Sequence, residues 1–115
     1  MLNFAIENIE PHFKGKVYNL SVEDKTIKIL ITFHCLDRLE AWRIEIQNLF
    51  RTLLDPEEVL TGHKNRFIAH KRFNNHIIRA VYEYERELPV VITVYFPHAK
   101  RYYKGSKIYE DKIFS

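Results

Sequence analysis

A single cysteine, Cys35, serves the whole 115-residue chain. That excludes an intramolecular disulfide and fits a reducing, cytoplasmic location. Three glycines and four prolines are too few for a long disordered linker. A chain of this length is expected to form one domain around one core. No apolar run nears the ~20 residues that cross a bilayer, so no membrane span is expected. The opening MLNFAIENIE has no basic start, so no signal peptide is expected. Sequence signatures of cofactor chemistry are missing as well. There is no GxxxxGK[ST] or GxGxxG stretch, which leaves nucleotide binding by those routes unsupported. There is no CxxC pair, and His12, His34, His63, His70, His76 and His98 are dispersed without HExxH or other tight ligand spacing. No cofactor and no metal site is therefore expected.

Acid is missing from one region. No Asp or Glu occurs between Thr61 and Tyr82. Residues 1–60 hold seven Lys/Arg and ten Asp/Glu, a net of −3, whereas residues 61–115 hold eleven and five, a net of +6. A basic half suits a polyanion or an acidic protein partner, or simply a solvated surface.

What is present is strand-rich. Arg66 to Pro97 is dominated by Val, Ile, Tyr and Phe and is interrupted at Asn74-Asn75 and Glu85-Arg86-Glu87, which predicts three antiparallel strands. A two-residue turn at Asn74-Asn75 puts Phe73 opposite His76, His70 opposite Arg79 and Ile68 opposite Val81. Alternation then gives one apolar face with Phe67, Ala69, Phe73, Ile78, Ala80, Tyr82 and Tyr84. The mixed face carries Arg66, Ile68, His70, Arg72, Ile77, Arg79 and Val81. If the second turn sets Tyr84 opposite Leu88, then Val90, Ile92, Val94 and Phe96 join the apolar face. Val91, Thr93 and Tyr95 join the mixed one.

The remaining elements follow in order. Residues 1–16 show no clear period and read as a short helix or a loosely docked arm. Val17–Val22 and Thr26–Phe33 alternate around Glu23-Asp24-Lys25 and read as a hairpin, either added to the sheet or separate from it. Cys35, Leu36, Leu39 and Trp42 mark an amphipathic helix that breaks at Arg43-Ile44. Ile46, Leu49, Phe50, Leu53 and Leu54 mark a second helix. It ends at Asp55-Pro56, or is followed by a last short turn through Leu60. The Lys100–Tyr103 segment interleaves bases and tyrosines. Residues 107–115 read as a terminal helix, a strand or a tail. The expected fold class is α+β: an antiparallel sheet made of the N-terminal hairpin and the three-stranded meander, with two helices packed on one face.

Metal-free RNA cleavage needs a base for the ribose 2′-hydroxyl, a cation for the phosphorane and an acid for the leaving 5′-oxygen. His70, Arg79 and Tyr95, on one face, can fill these catalytic roles. The planar fork of Arg79 suits phosphate oxygens. Lys64, Arg66, Arg72 and Arg101 can hold the flanking backbone, and Tyr102 can stack on a base. His34 and Arg38, four apart on one helix, are accessory candidates.

The order of these elements resembles the RelE/ParE superfamily of toxins from toxin–antitoxin modules. The nearest likeness is to its BrnT-type branch and a related uncharacterised domain family. The residues that carry the likeness are His34-Cys-Leu-Asp-Arg38 opening a helix and Asp55-Pro56-Glu-Glu-Val59 closing the next. They continue with Arg66, Ile77-Ile-Arg79-Ala-Val-Tyr82, Val91-Ile-Thr-Val-Tyr95 and Lys100-Arg101-Tyr102-Tyr103. The resemblance divides the single domain into an N-terminal extension (1–30), a toxin-like core (31–105) and a tail (106–115). It implies an endoribonuclease acting on RNA, free or on the ribosome, with a cognate antitoxin as partner. The alternative is a non-catalytic protein- or nucleic-acid-binding module of the same fold, and an oligomer is compatible with either.

Overall fold

The computed structural model of the protein describes residues 2–98. Three strands come first: β1 (Phe4–His12), β2 (Gly15–Val22) and β3 (Lys25–Thr32). Two helices follow, α1 (Phe33–Trp42) and α2 (Ile46–Leu54). Four strands complete the fold: β4 (Glu58–Thr61), β5 (Phe67–Phe73), β6 (His76–Glu85) and β7 (Leu88–Tyr95). The class is α+β, and the strands form one seven-stranded sheet in the order β1-β2-β3-β7-β6-β5-β4. All neighbours are antiparallel except β3 and β7, which run parallel through Leu30↔Val90 and Ile31↔Val91. A parallel pair needs a long crossover, and here both helices and β4–β6 supply it.

Local chemistry explains the turns and caps. Glu23 opens the β2–β3 turn at φ 58°, and Asn74 opens the β5–β6 turn at φ 59°. The β6–β7 turn uses Arg86 and Glu87, both at positive φ, which suits the right-handed twist of a two-residue hairpin. The Thr32 hydroxyl oxygen accepts from the Cys35 amide at 3.1 Å and so caps α1. Arg43 ends α1 in the left-handed region, φ 58°, and its amide donates back to the last turn.

The core lies between the helices and one face of the sheet. Cys35 and Leu39 of α1 and Leu49, Phe50, Leu53 and Leu54 of α2 meet Tyr18, Leu20, Ile29, Ile31, Ala69, Ile78, Ala80, Tyr82, Val91 and Val94. Each such large apolar side chain contributes about 1.5–3 kcal/mol when fully buried. A smaller cluster, Val17, Leu30 and Val90, packs on the opposite face.

The first hairpin register is as expected: Phe73↔His76, His70↔Arg79 and Ile68↔Val81. The N-terminal hairpin joins the central sheet through β3, as the expected fold class had it. Three expectations are corrected. Residues 4–12 form an edge strand, neither a helix nor an arm; a register shift between Ile6 and Asn8 breaks the alternation and hides the period. The segment after Asp55-Pro56 is not a helical turn but β4, paired with β5 at the other edge. The last turn sets Glu85, not Tyr84, opposite Leu88, and a second register shift follows between Val81 and Tyr82. Val91 therefore faces the helices, while Val90 and Ile92 lie with the outer cluster. The bulge restores the phase beyond it. Val94 and Phe96 pack with the helix-side core, and Tyr95 sits opposite Arg79.

Candidate functional site

The sheet face turned away from the helices carries a transverse polar row. Glu58 pairs with His70 across β4–β5, His70 with Arg79 across β5–β6, and Arg79 with Tyr95 across β6–β7. Four strands thus present carboxylate, imidazole, guanidinium and phenol in line. Exposure changes along the row. Glu58 and His70 are buried, at 2% and 0%, Arg79 is half-buried, and Tyr95 is exposed at 49%.

The buried end is under-satisfied. His70 Nδ1 lies 3.7 Å from Glu58 Oε1, too far for a hydrogen bond. Both His70 ring nitrogens and Glu58 Oε2 are without a hydrogen-bond partner. Burial first, and the neighbouring Arg79 charge second, push the His70 pKa down from 6.5 to about 4. The ring is neutral at neutral pH and has one N–H donor and one acceptor nitrogen.

Beside the exposed end stands His34. The first turn of α1 runs alongside β7, where the Thr32 hydroxyl lies 3.0 Å from the carbonyl oxygens of Val91 and Ile92. The His34 Nε2 atom is 3.1 Å from Thr93 Oγ1. Thr93 precedes Tyr95 by two residues, about 7 Å along the strand. Arg38, one turn further on, makes an ion pair with Asp37 at 3.3 Å, and its Nε is buried without a hydrogen-bond partner.

The other sequence candidates lie further out. Arg66 precedes His70 by four residues, about 13 Å along β5. Its Nε is bound to Glu83 at 3.1 Å. Lys64 is exposed in the β4–β5 loop at φ 58°. Arg72, two residues past His70, has Nε 3.9 Å from Glu57 Oε1. Arg101 and Tyr102, with the rest of Lys100–Tyr103 and the tail, lie outside the described residues.

The fold thus gathers His34, Thr93, Arg79 and Tyr95 around one patch, with His70 and Glu58 behind Arg79. Glu58 is the residue that sequence reasoning missed as a site candidate. Its signal was the short Glu58-Val59-Leu60-Thr61 run, too brief to distinguish from a helical turn. Cys35 is fully buried, and burial pushes its thiol up to about 12, as for a core residue rather than a nucleophile. Among the described residues no group of three or more His, Cys, Asp or Glu is placed to hold a metal ion. No described helix is long and apolar enough to cross a membrane.

No curated protein and no solved structure matches the chain. One family model, a domain of unknown function designated DUF4258, matches residues 31–96. The match starts at the end of β3 and stops just past β7, so it spans both helices and β4–β7 and contains every residue of the polar row. It covers more than half of the sequence, and the chain accordingly belongs to the DUF4258 family.

Proposed function

We propose that the outer sheet face binds RNA by its phosphates and cleaves it without a metal, as the toxin of a toxin–antitoxin module with a RelE/ParE-like fold. The observation that carries this reading is the cross-strand pairing of a guanidinium with a phenol, with an imidazole held to the residue two before the phenol on the same strand. Arg79 and Tyr95 are direct cross-strand partners, and His34 reaches Thr93 two residues before Tyr95. Arg79 holds the phosphate and offsets the charge of the phosphorane. His34 and Tyr95 are placed to exchange protons with the 2′-hydroxyl and the 5′-oxygen. His70 has no exposed surface. In this reading it is therefore moved from proton transfer to support behind Arg79. Lys64, Arg66, Arg72 and Arg101 serve the flanking phosphates, and Tyr102 a base. The proposed partners are RNA and a cognate antitoxin in the cytoplasm.

The test is induced expression of wild type and Arg79→Ala in a bacterial host, read by growth and total-RNA integrity. Growth arrest with cleaved RNA in the wild type alone supports the reading. Equal cleavage by the variant refutes the assignment of Arg79. A second reading, binding without turnover, is favoured by the burial of His70, which removes one acid–base group from the face. Its signature is salt-dependent RNA binding that leaves the RNA intact.

A further inference from the structure

On the helix side of the sheet, a cavity lies where the α1–α2 junction meets the end of β5, the start of β6 and the residue after β7. It holds about 190 Å³. Phe73, Ile78 and Phe96 give it an apolar lining, and Arg43, Glu45 and Asn48 a polar one. The two phenylalanine rings stand 6.1 Å apart, edge to face. Pockets for drug-sized ligands run to ~300–1,000 Å³, so this one suits a single ring system or a single side chain. Local structure leaves its polar groups free for a ligand. Glu45 is the N-cap of α2, where Ser, Thr, Asp or Asn would bond the first turn. The Glu45 side chain makes no such bond, and the residue is exposed. Asn48 Oδ1 accepts from Arg51 Nη1 at 3.1 Å, which leaves Nδ2 to donate. Arg43 is exposed at the end of α1, its backbone held by the amide bond to Glu40 O at 3.1 Å.

The cavity thus joins aromatic rings to one carboxylate, which only accepts, and to two groups that donate. Aromatic rings stack on any base. The polar set discriminates. The Watson–Crick edge of guanine presents two adjacent donors, N1–H and the N2 amino group, which match the two oxygens of a carboxylate. Its O6 and N7 acceptors match arginine and amide donors. Adenine, cytosine and uracil each present a single donor group on that edge. We propose that this cavity is a guanine-binding pocket for single-stranded RNA, with Phe73 and Phe96 as its stacking surface and Glu45 as the residue that selects guanine. That RNA supplies the base rests on the reading given above. The preference for guanine does not.

The sheet connects the two sites. Arg79 follows Ile78 and Tyr95 precedes Phe96, so alternation on β6 and at the end of β7 sends the members of each pair to opposite faces. At that end of the sheet the His76 ring stacks on Phe96 at 4.6 Å and lies 4.9 Å from the His98 ring. A strand with one phosphate at Arg79 rounds the sheet across these rings, and a base further along enters the cavity.

The experiment titrates the full isotope-labelled chain with guanosine, adenosine, cytidine and uridine 5′-monophosphates, which share one phosphate. NMR shifts of the Phe73, Ile78 and Phe96 side chains read the cavity. Guanosine monophosphate is expected to shift them saturably and to bind about tenfold tighter than adenosine monophosphate. Glu45→Gln replaces one acceptor oxygen by a donor and is expected to abolish that preference. Phe73, 37% exposed, tolerates replacement. Phe73→Leu is expected to weaken guanosine monophosphate about tenfold through lost stacking. If Phe73→Leu does not fold, Glu45→Gln decides alone. Equal binding of the four nucleotides overturns the proposal, as does a guanine preference that survives Glu45→Gln. Shifts at Arg79 and Tyr95 alone overturn it too. No saturable response to any nucleotide assigns the cavity to a protein side chain and overturns it as well. RNA cleavage by the wild type without guanine preference sinks the pocket and leaves the RNA reading standing. Guanine preference without cleavage does the opposite.

Discussion

His70 should make the protein sensitive to mild acid, and replacing it should remove that sensitivity. In the folded protein, burial and then Arg79 hold its pKa at about 4, against 6.5 for an unperturbed ring. Between those values the unfolded chain binds a proton that the folded chain refuses. Stability is therefore greatest above about pH 6.5 and falls as pH falls toward 4. The full displacement is worth about 3 kcal/mol, of which about 2 kcal/mol is lost between about pH 8 and about pH 5. His70 has no exposed surface, so solvent screening does not reduce this figure much. His70→Gln keeps a polar side chain but cannot titrate. Urea unfolding of both proteins across this pH range isolates the contribution, since every other group is common to the two. The wild type should lose about 2 kcal/mol more than the variant. Parallel curves would refute the reasoning. A wild type that gains on the variant in acid would reverse the sign. Attraction of the imidazolium to Glu58 would then outweigh burial and Arg79.

Gly15 is buried where β2 passes the end of β3, and a Cβ there would stand 2.0 Å from Ile31 O and 2.8 Å from Thr32 Cα. Gly15→Ala should destabilise by about 3 kcal/mol or more, because backbone must move; a thermal or urea midpoint close to the wild type would contradict the packing described. Cys35 should resist a chromogenic disulfide reagent in the native state and react once per chain in urea, given its burial and its raised thiol pKa. Rapid native reaction would place it outside the core.

The parts legible in the sequence were those set by neighbours along the chain. Cys35, Leu39, Leu49, Phe50, Leu53 and Leu54 repeat at helical spacing, and they are the apolar residues that α1 and α2 bury. Asn74 tolerates the left-handed conformation that a tight turn demands. The β5–β6 register, and with it His70 beside Arg79, therefore follows from counting residues away from that turn. Of the candidate site, the shared face of Arg79 and Tyr95 was legible in the same way, whereas the approach of His34 to Thr93 was not.

Tertiary structure decided what depends on partners distant in sequence. Phe4–His12 becomes a strand because β2 offers a free edge, and its bulge conceals the alternation that would have marked it. The parallel contact of β3 with β7 joins residues 60 positions apart, which no local pattern encodes. The turn register, with Glu85 opposite Leu88, puts Val91 on the helix face, and a one-residue slip near Ile92 then returns Tyr95 to Arg79. The pairing of β4 with β5 sets Glu58 against His70 and buries both. Residue spacing determines which side chains share a face. Burial, and hence charge state, depends on which strands come to lie beside them.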